Sequence, residues 1–121
     1  MDFLIKPNER ILNFSGPWSV QVPVVVRFDK VNDKIRARFP NIVFNSDSPK
    51  ECFLESEIND ENFRPSYNVT LVAYIIDNSS DNLGNLNISK EGKITISADL
   101  FGNKFKKGEG KFGFYNIEIE Y

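Results

Sequence analysis

Glu55, Glu57, Asp60 and Glu61 crowd one short stretch of the chain. Two such carboxylates held across a cleft, one with a raised pKa, could hydrolyse a glycosidic bond. Neighbouring acids in a polar segment are more commonly a solvated surface, and that reading is favoured. Asp77, Asn78, Asp81 and Asn82 offer oxygen atoms of the kind calcium takes, but without the spacing of an EF-hand loop. A solvated Asx-rich turn accounts for them. Lys104, Lys106, Lys107 and Lys111 lie among Phe105 and Phe112. Charge beside ring faces could hold a single nucleic-acid strand, an anionic glycan or a phosphate. With 15 basic against 17 acidic residues the net charge is −2, so no broad basic field exists and a solvated hairpin tip is the better reading. Trp18, the only tryptophan, could stack on a hexose, but it alternates with Val20 and Val22 and so reads as core.

The chain has no histidine and one cysteine, Cys52. A Ser-His-Asp triad, a Cys-His pair, an internal disulfide and a multi-cysteine zinc site are all excluded. Cys52 has only Lys50 near it to lower its pKa and reads as a small buried apolar residue. No catalytic residue, metal or cofactor is expected. Asn13, Asn68, Asn78 and Asn87 stand in Asn-x-Ser/Thr sequons, but no secretory signal is read at the start, so glycosylation is not expected. No apolar run reaches the roughly 18 residues of a membrane span, so membrane insertion is not expected either.

The elements that must position these side chains read as strands. Ile, Val and Phe number 12, 9 and 11, against three Ala. Such residues suit pleated, half-buried surfaces. A chain of 121 residues buries about two thirds of its surface on folding, enough for one core. Residues 1–121 are expected to form a single domain, with 1–15 able to supply a first strand through Phe3 to Ile5 or Ile11 to Phe14. Trp18 to Val26 alternates, with Pro23 marking an edge or a bulge. Ile35 to Phe39, Ile42 to Phe44 and Cys52 to Leu54 follow. Val69 to Ile76 is apolar on both faces. Asp77 to Gly84 reads as a long turn. Lys90-Glu91-Gly92 turns a hairpin between Leu86–Ile88 and Ile94–Ala98. The last strand reads as Phe112 to Tyr121. The expected class is all-β, an antiparallel β-sandwich (jelly roll) of about eight to ten strands.

Two strands do not behave like those of an isolated sandwich, whose outer faces should be polar. Val72, Tyr74 and Ile76 lie opposite the other apolar face of their strand. Phe112 and Phe114 share a face with Asn116, Glu118 and Glu120. Either these five project outward as an interface, or the parity slips at a bulge and all five are core.

The order of motifs carries a resemblance. Gly16-Pro17-Trp18 opens the run and Phe63-Arg64-Pro65-Ser66 precedes an apolar strand. Asp77-Asn78, Leu83-Gly84 and Leu86-Asn87-Ile88 follow. Lys90-Glu91-Gly92-Lys93-Ile94-Thr95-Ile96, Phe105, Gly113-Phe114-Tyr115 and Ile117-Glu118-Ile119-Glu120-Tyr121 complete it. The set, from Gly16 to Tyr121, resembles the trimeric jelly-roll heads of viral and phage fibres and collagen-like proteins, which share the tumour-necrosis-factor and complement globular-head fold. The resemblance implies a homotrimer with aromatic residues near the threefold axis, and Gly113, Phe114 and Tyr115 match its motif.

Together these readings imply a non-enzymatic module of a virus or phage particle, located in the virion or the infected host's cytoplasm. It would serve assembly and recognition of a cell-surface glycan or protein, with other virion proteins as further partners and no nucleic acid. The trimer interface is expected at Val72, Tyr74, Ile76, Phe112, Phe114 and Tyr115. The alternative is a monomeric, lectin-like carbohydrate-binding module. An enzyme using two carboxylates is the third class.

Overall fold

The computed structural model describes residues 7–121, so the expected segment Phe3 to Ile5 lies outside the described residues. Ten strands follow in order: β1 (Glu9–Phe14), β2 (Val22–Val31), β3 (Lys34–Phe39), β4 (Ile42–Ser48), β5 (Leu54–Glu57), β6 (Val69–Asp77), β7 (Ser80–Ile88), β8 (Lys93–Ile96), β9 (Gly108–Phe114) and β10 (Ile117–Glu120). A single 3-10 turn, Glu61–Phe63, sits between β5 and β6. The fold is the all-β antiparallel sandwich that the composition predicts.

One sheet runs β1-β2-β3-β10 and the other β4-β9-β6-β7-β8-β5. From β3 onward the pairing is nested: β6 with β7, β5 with β8, β4 with β9, and β3 with β10. That nesting is a long antiparallel ribbon rolled on itself, a jelly roll. The β1–β2 hairpin extends the smaller sheet. Ser15 and Glu55 exchange two backbone hydrogen bonds of 2.9 Å and so join β1 to β5 across the sandwich edge. Pro23 pairs only with Asn13 of β1, because β2 meets β3 only from Arg27 onward. The missing N–H of Pro23 therefore faces a side of the strand with no ladder to break, as expected of an edge.

Alternation sets the core. Val24, Val26 and Phe28 of β2, Ala37 and Phe39 of β3, and Ile94 and Ile96 of β8 are buried. Phe14, Phe39 and Phe114 meet at the centre, with ring centroids 5.4–6.4 Å apart and interplanar angles of 53–84°. Such edge-on contacts suit the ring quadrupoles. Two of these rings come from the smaller sheet and one from the larger, so the trio clamps the sheets together. At the other end Phe28 stacks on Phe63 at 4.8 Å. Arg10 covers Phe63 from outside and pairs with Asp60 at 2.8 Å.

The segments after Asp77 and around Val20 differ from the sequence reading. Asp77 to Gly84 is not a long turn. Asn78 and Ser79, both at positive φ, make a tight two-residue turn of the kind that matches strand twist, and β7 begins at Ser80. Val20 is exposed in a loop rather than sharing a buried face with Trp18, which is partly buried and meets Phe44 edge-on at 6.3 Å.

Candidate functional site

Two surfaces stand out, the outer face of the larger sheet and a cleft at one end of it. On β6, Ala73 and Ile75 point into the core, so Thr70, Val72, Tyr74 and Ile76 point out. They lie opposite Asn87, Asn85, Leu83 and Asp81 of β7. Val72 is 53% exposed and Tyr74 68%. The outer face of the smaller sheet differs. Apart from Ile11, Asn13, Pro23 and Val25 on β1 and β2 it is charged, with Arg36 paired to Glu118 and Glu120 at 3.3 and 3.4 Å. The smaller sheet thus has the outer face of a solvated sandwich, and the larger has an apolar stripe.

Three of the six residues expected at an outward interface do not reach solvent. Phe112 and Phe114 are fully buried, and Ile76 is buried as well. The reason for the phenylalanines is a parity break. The expected single strand Phe112 to Tyr121 is two strands in different sheets, β9 and β10, joined at Tyr115-Asn116. Phe114 and Ile117 both point inward because the chain crosses between sheets there. The Gly113 between the two phenylalanines is at φ +146°, and a Cβ there would fall on the Ile42 carbonyl oxygen. β4 and β9 approach so closely only because this position has no side chain.

Ile76 is on the outer face but covered. The Tyr115 N–H donates to the Tyr74 carbonyl at 3.0 Å, and its hydroxyl donates to Asp81 Oδ1 at 2.6 Å. The ring starts beside β9 and ends on β7, so it crosses β6 at the level of Ile76, the register partner of Asp81. The hydrogen bond to Asp81 holds the Tyr115 phenol above its ordinary pKa. Val72, Tyr74 and half-exposed Tyr115 therefore remain accessible.

The cleft lies between the β6–β7 turn and the long β8–β9 connection. It encloses about 790 Å³ and is lined by Asp77, Asp81, Asn82, Asp99, Lys104 and Lys106 among others, with Glu51 at one side. Lys106 N–H donates to the Asp77 carboxylate at 3.3 Å, and Asn82 Nδ2 to the Ala98 carbonyl at 3.1 Å. The acidic turn and the basic loop, separate in the sequence, are thus stitched into one site. Asp99 accepts from the N–H groups of Phe101 and Asn103 at 3.0 Å and from Asn103 Nδ2 at 2.8 Å. Those donors, Asn103 first, hold its carboxyl below the ordinary carboxylate pKa. Asn85 Nδ2 pins the Leu100 carbonyl at 3.0 Å. The held loop presents Leu100 and Phe101 to solvent, Phe101 being 92% exposed.

Leu100 and Phe101 are what a reading for charged motifs misses. Their signal is an apolar pair enclosed by Asp99 and Gly102-Asn103, turn formers that keep Phe101 out of any strand. Phe105 and Phe112, the aromatics expected in the basic loop, are buried instead. Phe105 is drawn in by two backbone hydrogen bonds with Cys52. Cys52 is half-buried, and burial pushes its thiol up. The acidic run is divided. Asp60 caps the 3-10 turn and pairs with Arg10, while Glu55 and Glu57 share the outer face of β5. Among the described residues no cluster of three or more His, Cys, Asp or Glu could hold a metal ion, and no helix is long and apolar enough to cross a membrane.

No family model matches the chain, and no curated protein matches it. Among solved structures, a reovirus attachment protein, sigma1, crystallised in complex with alpha-2,3-sialyllactose, superposes with a TM-score of 0.59. This chain is similar in fold to that viral attachment protein. The sequence identity is 16%, and the match covers 93% of this chain and 62% of that one. The likeness supports the β-sandwich fold that the motif order implied. The chain spans less than two thirds of the sigma1 chain it matches.

Proposed function

We propose that this chain is the head-like recognition module of a viral or phage particle. It is non-enzymatic, assembles as a homotrimer of the tumour-necrosis-factor-like kind, and offers its loop end to a cell-surface glycan or protein. The observation that carries this reading is the exposed Val72–Tyr74 stripe on the outer face of the larger sheet, where a solitary sandwich would be polar. The fold likeness to sigma1 supports a place among viral attachment modules, and other virion proteins are further partners. Tyr115, reaching across β6 beside that stripe, would supply the interface aromatic that the buried Phe112 and Phe114 do not.

Light scattering behind size exclusion across a dilution series tests the assembly. A concentration-independent mass near three times 13.9 kDa is the expected result. Tyr74→Ser should lower that mass without unfolding the protein. A monomer at every concentration would overturn the trimer. The cleft is built from one chain alone, and this favours the second reading, a monomeric carbohydrate-binding module, should the monomer be found.

A further inference from the structure

We infer that the cleft between the β6–β7 turn and the β8–β9 loop takes an uncharged glycan, with Phe101 as the platform for a sugar ring. This rests on the recognition role proposed above and specifies its ligand class and site.

The size fits. A volume of about 790 Å³ falls within the roughly 300–1,000 Å³ of small-molecule sites. The lining chemistry fits a polyol. Each sugar hydroxyl both donates and accepts, so it is best met by carboxylates and carboxamides side by side. Asp77 and Asn82, on the same face of β6 and β7, supply such a pair. The Lys106 N–H and Asn78 Nδ2 hold the Asp77 carboxylate, whose remaining lone pairs are left as oriented acceptors. Asn82 spends its Nδ2 on the Ala98 carbonyl, which leaves Oδ1 for a ligand hydroxyl. Both side chains are held before any ligand arrives, which lowers the ordering cost of binding.

Phe101 supplies the apolar half. A pyranose has a face of C–H bonds that packs on an aromatic ring. Phe101 stands on the loop whose Asp99 and Gly102 line the cleft, and its ring is almost wholly exposed. Its exposure is built into the loop: Asp99 accepts from its N–H and twice from Asn103, Asn85 holds the Leu100 carbonyl, and Gly102 turns at φ +82°. A protein partner would ask for apolar pocket walls around such an anchor. Here the walls are polar, and a hydroxyl-rich ligand suits them.

The charge selects against acidic sugars. Glu51, Asp77, Asp81 and Asp99 bring four carboxylates, against the two ammonium groups of Lys104 and Lys106. A glycan carboxylate placed among them meets net repulsion, which screening reduces without reversing. An uncharged glycan should therefore bind at least about fivefold more tightly than its sialylated counterpart.

The test is an array of neutral oligosaccharides and sialylated versions of the same cores, probed with the labelled full chain. Binding to neutral glycans that falls about tenfold or more in Phe101→Ala and in Asn82→Ala is the expected result. Both positions are exposed, and unchanged thermal melting shows that the variants fold. Binding confined to sialylated glycans would overturn the inference and leave the recognition role standing. Neutral-glycan binding that neither variant weakens would place the site elsewhere and also overturn it. Binding to no glycan would overturn it as well, and the recognition role would then rest on a protein receptor alone.

Discussion

Phe114→Ala separates a core residue from an interface residue at the position where sequence and structure disagree. Phe114 is fully buried, with its ring 5.4 Å from that of Phe14 and 6.3 Å from that of Phe39. Truncating a buried Phe removes its transfer free energy and leaves a cavity, about 3–5 kcal/mol together. A domain of this size is stable by about 5–15 kcal/mol in all. The melting temperature should fall by about 10–25 °C, taking about 3–5 °C per kcal/mol for this length. Trp18, the only tryptophan, reports urea unfolding by its fluorescence. The measurement belongs at a dilution where association no longer contributes, since assembly raises apparent stability by mass action. The matched control is Tyr74→Ser. At 68% exposure it should change monomer stability by no more than about 0.5 kcal/mol while weakening assembly. A Phe114→Ala variant that loses under about 1 kcal/mol as a monomer, yet no longer associates, would refute the reasoning. Phe114 would then face a partner, and the parity break at Tyr115-Asn116 would be wrong.

Gly113→Ala should cost at least about 2 kcal/mol by urea titration, because the new Cβ meets the Ile42 backbone at positive φ. Gly102→Ala, also at positive φ but with nothing within 4 Å, should cost only about 1 kcal/mol. Tyr121→Phe should cost about 1–3 kcal/mol at neutral pH, since it leaves the buried Phe63 carbonyl without the 2.6 Å hydrogen bond it accepts. Burial also pushes the Tyr121 phenol well above its ordinary 10.0, so the unfolded chain ionises first; native stability should decline as pH rises past about 10, and less steeply in the variant. Asp99 runs the other way. Its folded pKa lies below the ordinary 3.8, so the order it gives the loop is complete above that pH and lost as pH falls through the folded value. Amide signals of Phe101 and Asn103 followed by NMR from about pH 6 to about pH 2 check this, and a loop already loose at the upper end would count against the Asp99 cradle.

Much of the fold is legible because a half-buried strand announces itself with a period of two. Alternation alone places Val24 and Val26, Ala37 and Phe39, and Ile94 and Ile96 on buried faces, and Gly92 marks its hairpin. Strand pairing is not legible, because it is decided between distant segments. β7 shows this. Ser80, Asp81 and Asn82 have turn-like propensities, yet they are strand because β6 offers them a ladder down to Asp77 and Ser80. β6 itself is apolar on both faces. A reading of the sequence covers both, but on the outer face only Ile76 is buried, and its cover comes from Tyr115, beyond the end of another strand.

The cleft is half legible, and the reason bears on how such sites should be sought. Asp77, Asn78, Asp81 and Asn82 stand out as one group, and Lys104 and Lys106 as another. Each group alone reads as solvated surface. Their meaning lies in the juxtaposition, which exists because the β6–β7 turn and the β8–β9 loop emerge at the same end of the roll. Residue type is local information, and it survives in loops, where side chains need no parity to be exposed. Inside strands, exposure is set by parity, and one step such as Tyr115-Asn116 inverts it for every residue beyond. That is why the loop lysines Lys104 and Lys106 lie where their types suggest, while alternation assigns Phe112 and Phe114 to the wrong side. The aromatic that does reach solvent, Phe101, is a loop residue held out by Asp99, and a search for apolar residues stranded between turn formers finds it.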